Sequence, residues 1–394
     1  MDEFPDEATL ADLARQATGW RRHLHAMPEL GFETTGTAAF VGGLLRGWGC
    51  NMVQEMVGGS AVVARIDGAA PGRAIALRAD MDALPIAETS GKPWSSQVPG
   101  KMHACGHDGH TASLLAAALD LASRRDFPGS VLLVFQPAEE TGGGARAMLE
   151  DGLLDVCDFV EIYGAHNHPG LGIGAFGCRS GVFAASADVF DVALTGKGCH
   201  AAQPWDGIDP LAAAARLLPR LAVMPGRLTD AMHPALLSVT ALGQDTDAHN
   251  VLPGRATMKG TVRTLDESVR RQIADAFERV VRAEAEGAGL GAEIDYRFDY
   301  PVLVNAPEQT AHAADVAAVI GPVDRAVPAV LGAEDFAFFL QRRPGAYILY
   351  GNGDTEACHH PAYDFSDAAL PHVISWYAGL ARIRLRALAR AERG

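Results

Sequence analysis

Val131-Leu132-Leu133-Val134-Phe135-Gln136-Pro137-Ala138-Glu139-Glu140-Thr141 is a short apolar run that ends in two adjacent carboxylates. Such a run reads as a buried strand, covered on both faces. The same type of segment recurs around it. Residues 61–66 and 74–78 are rich in Val, Ile and Leu and read as strands. Residues 111–123 are packed with Ala and Leu and read as a helix, and 159–165 as another strand. This alternation predicts an α/β sheet with helices on its faces. Reactive groups then belong in loops at strand ends, where Glu139, Glu140 and the segment 105–110 fall.

Further along, the rhythm changes. Residues 186–195 read as a strand. Asp209-Pro210 opens a helix to Val223, because Asp suits the cap and Pro the first turn. Strands follow at 236–242 and 256–264. Asp266 caps a long helix to Glu286, and 293–298 closes with a strand. The order β-α-β-β-α-β is ferredoxin-like and spans roughly 110 residues. Afterwards α/β character resumes, with a helix over 333–340, a strand over 346–350 and a helix over 366–390. The expected division is therefore 1–184 and 300–394 for one domain, interrupted by 185–299. Arg382, Arg384, Arg386 and Arg390 on the last helix read as a solvated face near a favourable C-terminal dipole.

Bulk properties narrow the function. The chain has 394 residues, 48% hydrophobic and 21% charged, so two soluble globular domains are expected. Its 33 basic and 48 acidic residues leave a net charge of −15, which excludes a nucleic-acid backbone as partner. No apolar run approaches the ~20 residues that span a bilayer. The start, Met1-Asp2-Glu3-Phe4-Pro5-Asp6-Glu7, is acidic and is not read as a secretory signal. Cys50, Cys105, Cys157, Cys178, Cys199 and Cys358 are scattered, without a CxxC pair, which points to a reducing cytoplasm.

Three clusters carry chemistry. In His103-Ala104-Cys105-Gly106-His107-Asp108-Gly109-His110, imidazole, thiolate and carboxylate are the donors that borderline-soft metals prefer. Cys105 and His107, two apart in an extended loop, would point the same way. Adjacent Glu139 and Glu140 repel unless a proton or cation intervenes, so one suits a general base and the other a metal ligand. Cys358-His359-His360-Pro361 offers a distant nitrogen ligand, either His359 or His360. His166 ends a strand and would lie beside Glu139 and Glu140 if the sheet is sequential. Asp80 and Asp82 share one face by alternation; Asp82 would orient a ligand histidine from behind, and Asp80 is left open. Gly172-Ile173-Gly174-Ala175-Phe176-Gly177 matches GxGxxG but lacks the following helix, so the nucleotide reading fails. His23, His25, His233, His312 and His372 read as isolated structural residues.

The residues together resemble the amidohydrolase branch of the aminoacylase/carboxypeptidase metallopeptidase family, nearly end to end. The resemblance rests on the segments 21–30, 78–85, 102–111, 136–141, 196–204, 250–253, 260–264, 333–336 and 359–367. It implies an α/β/α catalytic domain holding two divalent ions (Zn, Mn, Co or Ni), and a ferredoxin-like lid that also dimerises, with a tetramer as a further option. Cys105 matches the bridging ligand, His107 and His166 the ligands of one ion, Glu140 and His359 those of the other. Glu139 matches the general base. His200 matches a lid histidine that polarises the substrate carbonyl from the partner subunit, and Asn250 and Arg263 match lid residues that hold the substrate carboxylate. The implied reaction is hydrolysis of N-acyl-L-amino acids of the hippurate type. Alternatives are another small amide, ester or dipeptide, or a silent metal-binding homologue. Cys199 and Trp205 depart from a usual glycine and histidine, which bears on the acyl pocket.

Overall fold

The computed structural model describes residues 3–230 and 232–393. Met1 and Asp2, which begin the acidic N-terminal stretch, lie outside the described residues. The chain divides into two units. One comprises Met1–Gly181, Val304–Pro328 and Phe338–Gly394; the other comprises Val182–Leu303 and Ala329–Ala337.

The first unit is built on a mixed eight-stranded sheet. Its order is Asn51–Met56, Ala61–Asp67, Pro128–Gln136, Ala70–Asp80, Glu161–His168, Gly345–Gly351, Phe176–Gly177, Val323–Asp324. The four central strands, from Pro128–Gln136 to Gly345–Gly351, run parallel. Their apolar runs are buried, as parallel strands covered on both faces must be. Helices Glu7–Ala26, His107–Ser123 and Leu370–Ala391 pack on one another and join this core through Leu13, Leu115, Leu121, Trp376 and Leu380. Asp6 caps the first helix by accepting the Thr9 N–H at 2.8 Å.

Three expectations change here. Strand Ala70–Asp80 lies between Pro128–Gln136 and Glu161–His168, so the sheet is not sequential at this point. The predicted helix over 333–340 shrinks to Ala337–Leu340, because Glu334 Oε1 accepts the Phe336 N–H at 3.0 Å and turns the chain locally. Arg382 and Arg384 are buried rather than solvated. Arg382 Nη1 donates to Asp120 Oδ2 at 2.6 Å, and Arg384 Nη2 to Glu161 Oε1 at 2.7 Å. Each guanidinium enters the interior because a carboxylate from elsewhere in the fold meets it.

The second unit carries a four-stranded antiparallel sheet, ordered Ala235–Gln244, Arg255–Thr264, Ser186–Thr195, Gly291–Tyr300. Helices Pro210–Val223 and Glu267–Gly287 complete the order β-α-β-β-α-β. Asp209 and Asp266 cap them through the N–H groups of Leu211, Ala212, Ser268 and Val269. Val269, Ile273, Phe277 and Val281, at helical spacing, are the buried stripe of the longer helix. They pack against Phe190, Met258 and Leu194.

Candidate metal centre

The site forms at the C-terminal ends of the central parallel strands. Ala70–Asp80 delivers Asp80, and Asp82 follows just beyond it. Asp82 Oδ1 accepts the Glu139 N–H at 2.9 Å and Oδ2 accepts the Glu140 N–H at 3.1 Å. The same Oδ1 lies 3.5 Å from His107 Nδ1, while Asp80 Oδ2 lies 3.7 Å from His107 Nε2. The two aspartates thus flank one imidazole. The sharp turn that presents Glu139 leaves Ala138 at φ 52°, a conformation unusual for a residue with a side chain.

Cys105 and His107 converge by a route other than an extended loop. His107 is the first residue of helix His107–Ser123, and Gly106 before it turns at φ 90°. A Cβ at Gly106 would lie 2.3 Å from Asn167 Nδ2 and 2.6 Å from Tyr363 Oη. Glycine is the residue that permits both the turn and this approach. The turn is braced from two directions. Asn167 Nδ2 donates to Cys105 O at 2.7 Å, and Tyr363 Oη donates to Asn167 Oδ1 at 2.8 Å. Sequence reading missed both braces, although Asn167 sits between two histidines and Tyr363 within the segment 359–367.

The donor atoms gather in two sets that share the thiol. Those of Cys105, His107 and His166 lie within 4.8 Å of one another, and so do those of Cys105, Glu140 and His359. Cys105 Sγ is 3.3 Å from His166 Nε2, and Glu140 Oε1 is 3.2 Å from His359 Nε2. Glu139 joins His107 and Glu140 in a third such group. His359 reaches the site because its backbone N–H donates to Ala104 O at 2.7 Å, with its own φ at 69°. Its neighbour His360 instead accepts the Ala362 N–H on Nδ1 at 3.1 Å. His110 is occupied as a strut: Nδ1 meets Asp80 Oδ1 at 2.6 Å and Nε2 accepts the Asn167 N–H at 3.2 Å. His25 is buried but not isolated, with Nδ1 2.8 Å from Asp108 Oδ2 and Nε2 3.4 Å from Glu88 Oε1.

Neighbouring charges and burial shift the titration of several site residues. Hydrogen bonding with Cys358, burial and the Glu140 and Glu139 charges together push the Cys105 thiol well above its usual range. Burial resists a charged His107, yet Asp80, Asp82 and Glu140 outweigh it and hold it at about 10. Burial and the neighbouring His110 drive His166 the other way, well below the usual imidazole value. Burial also raises Asp82, against the pull of His107. Among the described residues, both His107 ring nitrogens are buried without a hydrogen-bond partner, and buried Glu140 Oε1 is met by His359 Nε2 at 3.2 Å. Donor atoms of this kind, on imidazole and carboxylate beside a thiol, fit divalent ions. A bound cation would deprotonate the thiol and the imidazoles that ligate it.

His200, Asn250 and Arg263 belong to the second unit. His200 pairs with Val251 in a two-residue ladder, the Ala201 N–H donates to Asn250 O at 2.9 Å, and His200 Nδ1 accepts the Ala202 N–H at 3.1 Å. Arg263 stands opposite Ala187 on strand Arg255–Thr264, and burial lowers its pKa against the charges of Asp188 and Asp299. No helix among the described residues is long and apolar enough to cross a membrane.

Known proteins resemble this chain in sequence and fold. Residues 76–383 match the model of peptidase family M20/M25/M40. An N-acetyl-L-cysteine deacetylase of Bacillus subtilis is 38% identical over 94% of this chain and 88% of its own. A hippurate hydrolase of Campylobacter jejuni is 35% identical over 94% of this chain and 97% of its own. The crystal structure of a dinuclear metal binding peptidase of the M20 family from Bacillus subtilis superposes with a TM-score of 0.83 at 35% identity, covering 95% of this chain and 99% of that one. The chain belongs to peptidase family M20/M25/M40, in its amidohydrolase branch, and is a metal-dependent hydrolase.

Proposed function

We propose that the protein hydrolyses the amide bond of N-acyl-L-amino acids, releasing a carboxylic acid and a free amino acid. The observation that carries this reading is the pair of donor sets sharing Cys105, with Glu139 beside them on the same turn as Glu140. The similarity to an N-acetyl-L-cysteine deacetylase and a hippurate hydrolase supports the choice of substrate class.

In this reading Cys105, His107 and His166 would hold one divalent ion, and Cys105, Glu140 and His359 the other. The ions supply Lewis acidity to the carbonyl and to a water molecule. Glu139 would accept a proton from the attacking water on a carboxylate oxygen and pass it to the departing amine nitrogen. Asp82 fixes the height of Glu139 and the ring plane of His107. His200, reaching in from a second copy of the chain, would donate to the carbonyl oxygen as it gains charge, a contribution of several kcal/mol in comparable sites (roughly 3–4). Asn250 and Arg263 hold the substrate carboxylate. The thiolate and imidazole donors suit zinc, cobalt or nickel, with manganese the least matched of the four.

We also infer a homodimer through the second unit. Leu236 and Leu242 are exposed on its edge strand Ala235–Gln244, and an open edge invites pairing with a second copy. The six cysteines are free, which fits a reducing compartment.

The test strips the protein of metal, refills it with Zn²⁺, Mn²⁺, Co²⁺ or Ni²⁺, and assays hippurate, N-acetyl amino acids, dipeptides and simple esters. Metal-dependent release of free amino acid, faster from acyl amino acids than from the other classes, is expected. Stoichiometric metal binding with no such release overturns the reading.

A further inference from the structure

Cys358 is the residue of the His359 turn that hydrolysis leaves unused. The backbone bond from His359 N to Ala104 O, 2.7 Å long, lays residue 358 alongside residue 105. The two thiols lie close enough to interact with each other. Both cysteines are free, Cys105 buried at 8% exposure and Cys358 partly open to solvent. His359 between Cys358 and His360 adopts φ 69°, a local turn of the chain at this point. Cys358 also packs at the margin of the main core, which holds its side chain in place.

The geometry points to a modification site: Cys105 and Cys358 are a disulfide-forming pair whose oxidation by hydrogen peroxide removes the shared thiolate ligand. Here the inference rests on the assignment of Cys105 as that ligand. The chemistry balances without a further reactant. The more exposed Cys358 sulfur attacks one peroxide oxygen, the O–O bond breaks, and a sulfenic acid and one water result. Cys105 then attacks the sulfenic sulfur. The S–S bond forms, the S–O bond breaks, and the thiol proton leaves with the oxygen as a second water. Two thiols lose two electrons and the peroxide gains them. Bound metal shields Cys105, so the metal-free protein is the form that reacts. A dithiol reductant reverses the step.

The experiment treats metal-stripped and zinc-loaded protein with one equivalent of hydrogen peroxide. Peptides from a non-reducing digest are mapped by mass spectrometry, and zinc reuptake is titrated before and after a dithiol. In the stripped protein we expect a peptide linking Cys105 to Cys358, loss of two free thiols, and zinc affinity lower by roughly 10–100-fold or more until the dithiol is added. The zinc-loaded protein forms no link. Cys358→Ser forms none under either condition. Absence of the linked peptide in the stripped wild type, or a link that leaves zinc uptake unchanged, overturns the inference. Reduced, zinc-loaded Cys358→Ser separates the two readings, because its turnover of N-acetyl amino acids tests the hydrolase assignment independently of any cross-link.

Discussion

Asp82 accepts the backbone N–H of Glu139 on one carboxylate oxygen and that of Glu140 on the other. One side chain therefore sets the height of both adjacent carboxylates, while also facing His107 at 3.5 Å. Asp82→Asn replaces one acceptor with an N–H₂ group that confronts a backbone N–H. We expect kcat/KM to fall by about 10²-fold and metal affinity by roughly 10–100-fold. Steady-state kinetics and a metal titration check this; wild-type values for both would deny Asp82 any positioning role.

Glu139→Gln keeps the shape of the side chain and removes its basicity. Turnover should drop by about 10³-fold, within the range of general acid–base contributions. Two metal ions per chain should remain, as measured by elemental analysis. A variant that loses metal together with activity would make Glu139 a ligand.

Gly106→Ala places a methyl group 2.3 Å from Asn167 Nδ2 at a φ of 90°. The strain and overpacking should cost about 3 kcal/mol or more. Urea unfolding should show the loss, and the remaining folded protein should bind metal weakly. Near-native stability would mean that the loop relaxes without the Asn167–Tyr363 brace.

His25 supplies a pH signature. Burial opposes its charge, but Asp108 and Glu88 prevail and hold it at about 9. A folded-state value above the unfolded one means that its stabilisation is complete below about pH 6.5 and declines as the pH rises through about 9. The whole effect is at most about 3 kcal/mol. Unfolding wild type and His25→Gln at pH 6, 7.5 and 9 should show the gap between them narrowing as pH rises. A gap that is constant over this range contradicts a charged His25.

The buried pair Arg384–Glu161 gives a stability test remote from the metal donors. Arg384→Met leaves the Glu161 charge in the interior with only Tyr163 Oη and Gln309 Nε2 as donors, at 2.7 and 3.0 Å. The single change should cost about 3–5 kcal/mol, and adding Glu161→Gln should restore most of it. Equal losses for the single and double variants would contradict this account.

Much of the molecule was legible where local chemistry decides. The apolar run 131–135 is a buried strand, Asp209 and Asp266 do cap helices, and the order β-α-β-β-α-β could be read from periodicity and turns. What escaped was decided by partners far along the chain. Nothing near Arg382 or Arg384 announces Asp120 and Glu161, which are 262 and 223 residues away. The insertion of strand Ala70–Asp80 between two others is a choice among parallel neighbours that apolar runs do not encode. Likewise, Gly106 is equally compatible with an extended loop until Asn167 and Tyr363 arrive. Candidate metal donors could be named one by one; the scaffold that gathers them could not.

The bond between His359 N and Ala104 O closes the site with one of the last segments of the chain. Loops of such length form slowly, because their entropy must be lost before any contact compensates. Uptake of the ion that His359 would hold is therefore expected to be a late event in folding and a clock for its completion. In a refolding experiment, sheet formation should come first and acquisition of the second ion last.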